Sequence, residues 1–405
     1  MNRFMTSLLI ILFLFLLLIR KIKIDHFDSE VLPKIKIPFV VKTRPTTHIE
    51  TNLRRLSNGY TLNVPTYDSL GFSGRGLVIT GSGSSYRYTT GIYTNVYLIR
   101  KVHKSTIPIE IFYVSSSEKF PERVEKALLE LGNIRLVDLL DRIQIDDYPL
   151  DKNQINELRG YQTKPLACLC SSFSEVILMD ADAISFIDPI ELFNIRGYDS
   201  HGMVLFKDYV KCLKYVSEDF INNIGITANR YCLKTGGFEI DSSCVIVDKK
   251  RALDALYAIC LINFKSEQYY PHEKSSSKYN VLGDKDTWLI GSMFVGFDPF
   301  IDTNVNPQRL SVNDTDILGH FQRGHLHGVV VPLYYNNQQL KLEGIDNTNI
   351  KTIQFRGSPL PKIMETSLLE CKNAITTIIQ SIPPSILSQR PVYSSDLHYF
   401  TIMPT

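Results

Sequence analysis

The residues of this 405-residue chain with the plainest chemical potential are two carboxylates one residue apart, Asp180 and Asp182, which end the apolar run Val176-Ile177-Leu178-Met179. Four apolar residues in succession read as a strand buried on both faces of an α/β sheet. Ligands of such sheets bind outside the carboxyl ends of the strands, where both acids would stand. Two carboxylates so placed can hold a hard divalent cation, and the cation can grip a diphosphate. The spacing alone is common: Asp-x-Asp also occurs at Asp284/Asp286 and at Asp314/Asp316. Only the first follows a clean apolar strand, so context selects it.

Other residues could serve the same edge. Thr80-Gly81-Ser82-Gly83 follows the apolar Leu77-Val78-Ile79, and glycines at a strand-to-helix turn let a phosphate or base approach the backbone. Tyr86 stands where a dinucleotide fingerprint needs its third glycine, so the turn reads equally well as a plain flexible loop. Lys164 is a cation upstream of the acids, read either as a phosphate contact or as a solvated helix lysine. Asp284 reads as a helix N-cap or as a functional acid. His320, His325 and His327 fall within eight residues and are either metal ligands or satisfied loop histidines. No residue stands out as a covalent nucleophile.

The surrounding pattern alternates strand and helix. Gly76–Thr80 is a first strand, Ile92, Val96 and Ile99 recur at helical spacing, and Ile107–Val114 is a second strand. Pro121 opens a helix with Val124, Ala127, Leu128 and Leu131 on one face. Ile134–Leu140 is a third strand, and a helix over 155–171 precedes the Asp180 strand. Asp188-Pro189-Ile190-Glu191 has the form of a capping box opening Pro189–Phe193. Alternation of this kind predicts a mostly parallel, doubly wound α/β sheet.

Phe4–Ile19 is apolar apart from Thr6 and Ser7, with no small-residue cleavage site after it, so residues 1–23 read as an uncleaved membrane anchor. Arg20, Lys21 and Lys23 follow the span, which by the positive-inside rule favours a cytosolic catalytic domain. Residues 24–72, with four prolines, read as a stem, 73–345 as the catalytic domain, and 346–405 as an accessory helix and tail. A net charge of +2 gives no basis for capturing nucleic acid, and none is expected as a partner. Seven cysteines, an odd number whose only close pair is Cys168-x-Cys170, leave the redox compartment open, with Cys244 and Cys260 read as buried thiols.

Gly74–Gly81, Ile107–Ile111, Tyr161-Gln-Thr-Lys164, Ser172–Asp182 with Asp188-Pro189, Phe238–Ser242 and Gly283-Asp-Lys-Asp-Thr287 occur in one order. In that order they resemble the fungal Golgi α-1,3-mannosyltransferases of glycosyltransferase family 71, over about residues 74–341. The resemblance implies a GT-A fold, a Rossmann-like mixed sheet flanked by helices. It implies a type II Golgi membrane protein with a luminal catalytic domain, which opposes the charge rule. It implies transfer of mannose from the nucleotide sugar GDP-mannose to an oligosaccharide or glycoprotein acceptor, with retention and with manganese. On the matching positions Asp180 and Asp182 would hold the metal, Lys164 and Asp180 the donor, and Asp241, Asp284 and Asp286 would serve catalysis; Thr80 and Gly81 join the donor site on the reading of the glycine turn given above. This sequence departs from the family where Asn336 stands in place of a histidine. His327, or else His320 or His325, is then expected to supply the third ligand. Two other readings stay open: a glycogenin-like UDP-glucose or UDP-galactose transferase, and an inactive glycan-binding relative.

Overall fold

The computed structural model describes residues 61–144, 160–264, 283–312 and 316–337, with isolated residues at 35–36, 53–55, 281, 354–355, 358–359 and 377. The expected anchor, most of the stem, the start of the 155–171 helix and nearly all of 346–405 lie outside the described residues. Among the described residues no helix is long and apolar enough to cross a membrane.

The amino-terminal half alternates as its apolar pattern predicts: β1 (Arg75–Thr80), α1 (Tyr86–Lys101), β2 (Ile109–Tyr113), α2 (Glu122–Leu129), β3 (Ile134–Asp138), α3 (Thr163–Cys170) and β4 (Glu175–Met179). β1 lies parallel between β2 and β4, and β3 extends the parallel set. Val176, Ile177, Leu178 and Met179 are all fully buried, which is why four apolar residues run together there. Ile92, Val96 and Ile99 bury one stripe of α1 against this sheet; each such side chain contributes roughly 1.5–3 kcal/mol on burial.

The chain then leaves the sheet for a short β5 (Ala183–Ser185) and returns through β6 (Met203–Lys211), α4 (Glu218–Asn223), α5 (Ala228–Thr235) and β7 (Phe238–Asp248). α6 (Lys249–Phe264), α7 (Thr287–Phe294) and β8 (Phe300–Ile301) complete the seven-stranded order β8-β6-β7-β4-β1-β2-β3. β7 is antiparallel to both β4 and β6, so the sheet is mixed. A second sheet was not foreseen. It is antiparallel, in the order β9 (Gln308–Val312), β10 (Asp316–Leu326), β11 (Val329–Asn337) and β5.

Two local expectations shift. The third strand stops at Asp138 because that carboxylate accepts the Leu140 N–H at 3.0 Å and turns the chain. Asp188 caps Pro189–Asn194 as foreseen, but only as a 3-10 turn, and Glu191 bonds forward to Asn194 instead of back to the cap. Pro165 sits in the first turn of α3, where its missing N–H has no helical partner to lose.

Candidate active site

The Asp180-Ala181-Asp182 turn is the joint between the two sheets. Asp180 follows β4, and its N–H donates to the Ser243 carbonyl of β7 at 2.8 Å. Ala183 opens β5 and pairs with Asn336 of β11. Helix α1 lies directly against the turn. A Cβ added to Gly91 would stand 2.9 Å from the Ala181 carbonyl oxygen, and Asn95 Nδ2 lies 3.5 Å from the Asp180 carbonyl. Neither Gly91 nor Asn95 is conspicuous in the sequence.

Lys164 organises the acids. Its Nζ contacts Asp180 Oδ1 at 2.8 Å and Asp284 Oδ2 at 3.3 Å, and donates to Ser242 Oγ at 2.9 Å. Three acceptors match the three N–H groups of an ammonium, and Lys164 bridges two carboxylates at the place where a phosphate contact is expected of it. Burial works against its charge, but Asp180 and Asp284 outweigh burial and raise its pKa. Asp284 is pushed up by burial, with Lys164 opposing. It is not an N-cap: its Oδ2 accepts the Trp288 indole N–H at 2.9 Å.

Asp241, on β7, meets the second sheet. Its Oδ2 accepts from His320 Nε2 at 3.0 Å and Gln322 Nε2 at 2.8 Å, and its Oδ1 accepts the Ser243 N–H at 2.9 Å. Burial alone would raise its pKa, but His320 and the hydrogen bonds hold its carboxyl well below the usual carboxylate range. The His320 imidazole is shifted up: burial opposes its charge, and Asp241, then Asp208 and Asp182, outweigh burial. Ser242, Ser243 and Gln322 escaped sequence reading, although Gln322 stands two residues from His320 and hence on the same face of β10.

Three expected residues fall elsewhere. Asp286 is fully buried, its Oδ1 accepting the Tyr231 hydroxyl and, at 2.8 Å, the Ile240 N–H. Burial pushes its carboxyl up to about 7. His327 sits in the exposed β10–β11 turn beside Glu191, at 3.4 Å. That turn is seven residues beyond His320, roughly 24 Å along a strand. His325 donates to Asp302 at 2.6 Å. Of the three histidines only His320 joins the acid cluster, and β10–β11 pairing sets it opposite Asn336.

Thr80 and Gly81 line a small cleft at the carboxyl ends of β1 and β2, with Tyr88, Phe112, Glu118 and Thr163. The glycines answer first to packing. A Cβ on Gly81 would meet Ile92 Cδ1 at 2.4 Å, and one on Gly83 would meet the Phe120 Cα at 2.2 Å.

Among the described residues no three His, Cys, Asp or Glu side chains form a ready-made metal centre. The donor chemistry nevertheless fits a hard cation: the carboxylates of Asp180 and Asp182 flank one residue, and His320 feels the Asp182 charge. Cys212 and Cys232 form a disulfide with Cα atoms 5.7 Å apart. Cys244 and Cys260 are buried free thiols, as expected, and so are Cys168 and Cys170.

Residues 74–231 match the family model described as "Mannosyltransferase putative". The alpha-1,2-mannosyltransferase MNN21 of Candida albicans is 26% identical over 224 residues, covering 47% of this chain and 34% of that protein. The alpha-1,2-mannosyltransferase MNN22 of Candida albicans is 23% identical over 331 residues, 74% of this chain and 52% of that one. The chain thus spans about a third to a half of the length of these curated relatives. Among solved structures, the apo form of the bifunctional glycosyltransferase WbbM is similar at 13% identity and a TM-score of 0.36, over 64% of this chain and 44% of that one.

Proposed function

We propose that this chain, a member of a family of fungal mannosyltransferases, transfers mannose from GDP-mannose to an oligosaccharide on a glycoprotein, with retention, on a GT-A fold. The observation that carries this reading is the convergence of Asp180, Asp284 and Asp241 around Lys164 and His320 at the carboxyl edge of β4. Ligands of α/β sheets bind at such an edge.

Manganese held by Asp180 and Asp182, with His320 as the nearby imidazole, would neutralise charge on the departing diphosphate. The remaining roles belong to the chain itself. Lys164 bridges Asp180 and Asp284 and fixes them relative to each other. Asp241, held by His320, Ser243 and Gln322, is a fixed negative charge suited to the positive anomeric carbon of the transition state. The Thr80–Gly81 cleft would seat the nucleoside. We place the catalytic domain in the Golgi lumen, with the amino-terminal segment as its membrane anchor; the Cys212–Cys232 disulfide suits an oxidising compartment.

The test is donor turnover by the full chain with manganese, comparing GDP-mannose, UDP-glucose and UDP-galactose. GDP release from GDP-mannose alone is expected. Release of UDP instead would favour the glycogenin-like reading, and GDP-mannose binding without turnover the inactive one.

A further inference from the structure

Beside the Asp180 cluster lies a second polar network that the transfer step leaves unused. Lys285, between Asp284 and Asp286, donates to Asp208 Oδ2 at 2.9 Å and Glu239 Oε2 at 3.0 Å. Glu239 Oε1 accepts the Tyr215 N–H at 2.5 Å. The Tyr215 ring lies 5.3 Å from the Lys285 ammonium and 5.0 Å from that of Lys214. At the other end, the Tyr209 ring meets the His320 ring edge-on, with centroids 5.6 Å apart. The 208–215 segment therefore adjoins the acid cluster twice, through His320 and through the residue next to Asp284.

Topology puts this segment on the substrate side. β7 is antiparallel to both β4 and β6, so β6 runs with β4 and its carboxyl end opens on the edge that carries Asp180. The loop that follows is pinned: Cys212 is bonded to Cys232, the Cys212 N–H donates to Gly237 O at 3.0 Å, and Gly237 N–H donates to Cys232 O at 2.9 Å. The Lys285 and Asp208 side chains keep 15% and 12% exposure, at the lip of the edge instead of beneath it. An ion pair so nearly buried contributes little net stability against apolar residues of like volume, so stability does not explain it. Aromatic rings beside an ammonium and carboxylates suit a pyranoside. The C–H face of the sugar packs on the ring, while its vicinal hydroxyls donate to carboxylate and accept from ammonium.

We propose that Tyr209, Tyr215, Asp208 and Lys285 form the acceptor subsite, taking the terminal α-mannoside of an oligosaccharide, and that the Cys212–Cys232 disulfide holds its loop in place. The assignment rests on the mannosyl-transfer reading above and concerns only which residues take the acceptor.

The test is steady-state transfer by the full chain, with manganese and GDP-mannose, to α-mannobiose. For Tyr215→Ala the KM for mannobiose should rise at least about tenfold, the loss of one good contact, and far more than the KM for GDP-mannose. Tyr215→Phe, which keeps the ring, should restore it. Cys212→Ser with Cys232→Ser should reproduce the Tyr215→Ala pattern and serves if that variant does not fold. A mannobiose KM unmoved by both changes, or donor and acceptor KM values rising together, would overturn the assignment. If the wild-type chain releases no GDP from GDP-mannose, the transfer reading is what fails. Equilibrium binding of mannobiose then decides the subsite alone: weaker binding by Tyr215→Ala supports it, and equal binding sinks it.

Discussion

Lys164 is tied to Asp180, Asp284 and Ser242 in a site that leaves its side chain 8% exposed. Lys164→Met would strand two carboxylates with no cation, and breaking such a pair costs about 3–5 kcal/mol. Urea unfolding should show a loss of that order, and Lys164→Arg should not restore activity, because a planar fork cannot serve three acceptors gathered around one point. His320 gives a pH-dependent counterpart. Its pKa is raised in the fold, so its stabilising contribution is complete below the unfolded value of about 6.5 and fades as pH rises through the higher folded value. In chelator, the stability gap between wild type and His320→Gln should be widest near pH 6 and narrow on the alkaline side; a gap that widens with pH would contradict the pairing. Asp180, Asp241, Asp284 and Lys164 could be picked from the sequence because each sits at the end of a recognisable element or repeats a family position. Asp286 and His327 lie apart from the acid cluster, which the sequence does not announce: spacing along a chain does not say which side of a turn a carboxylate falls on, or how far a hairpin carries a histidine from its neighbour.

Helix α1 acts at the scale of the element. Glycine inside a helix costs about 1 kcal/mol relative to alanine, yet Gly91 is where α1 meets the Ala181 carbonyl. Gly91→Ala should therefore leave helix content intact, by circular dichroism, while displacing the turn that carries Asp180 and Asp182. Misplacement of about 1 Å can cost 100-fold in rate, so transfer should fall at least tenfold. Wild-type transfer by Gly91→Ala would show that the turn does not depend on this contact. β1 to β4 and their helices were legible because apolar runs and helical periods mark them plainly. The second sheet was not, because β5 is three residues long and its partner strand lies about 150 residues downstream, a pairing no local pattern announces.

For the whole molecule, the charges flanking the apolar amino terminus and the disulfide point in opposite directions. Arg20, Lys21 and Lys23 favour a cytosolic domain by the positive-inside rule, whereas Cys212–Cys232 suits an oxidising lumen. The disulfide is the stronger constraint, since positive-inside is a bias and cytosolic thiols are held reduced. Protease added to sealed microsomes should leave the catalytic domain intact, and digestion without detergent would place it in the cytosol. The disulfide itself was hidden in the sequence, because the two cysteines are 20 residues apart and α4, α5 and the connecting loops bring them together.

On the proposed reading, the edge carrying Asp180 and Asp182 turns over GDP-mannose. The most direct measurement of this is GDP release from GDP-mannose by the full chain, titrated with manganese, for wild type and for Asp182→Asn, a change that keeps side-chain volume and removes the charge. Manganese-dependent release by the wild type, reduced at least about 100-fold in Asp182→Asn with an unchanged melting temperature, is the predicted result; that loss is about 2.7 kcal/mol of barrier. Equal release by the two proteins, or release indifferent to manganese in both, would contradict it.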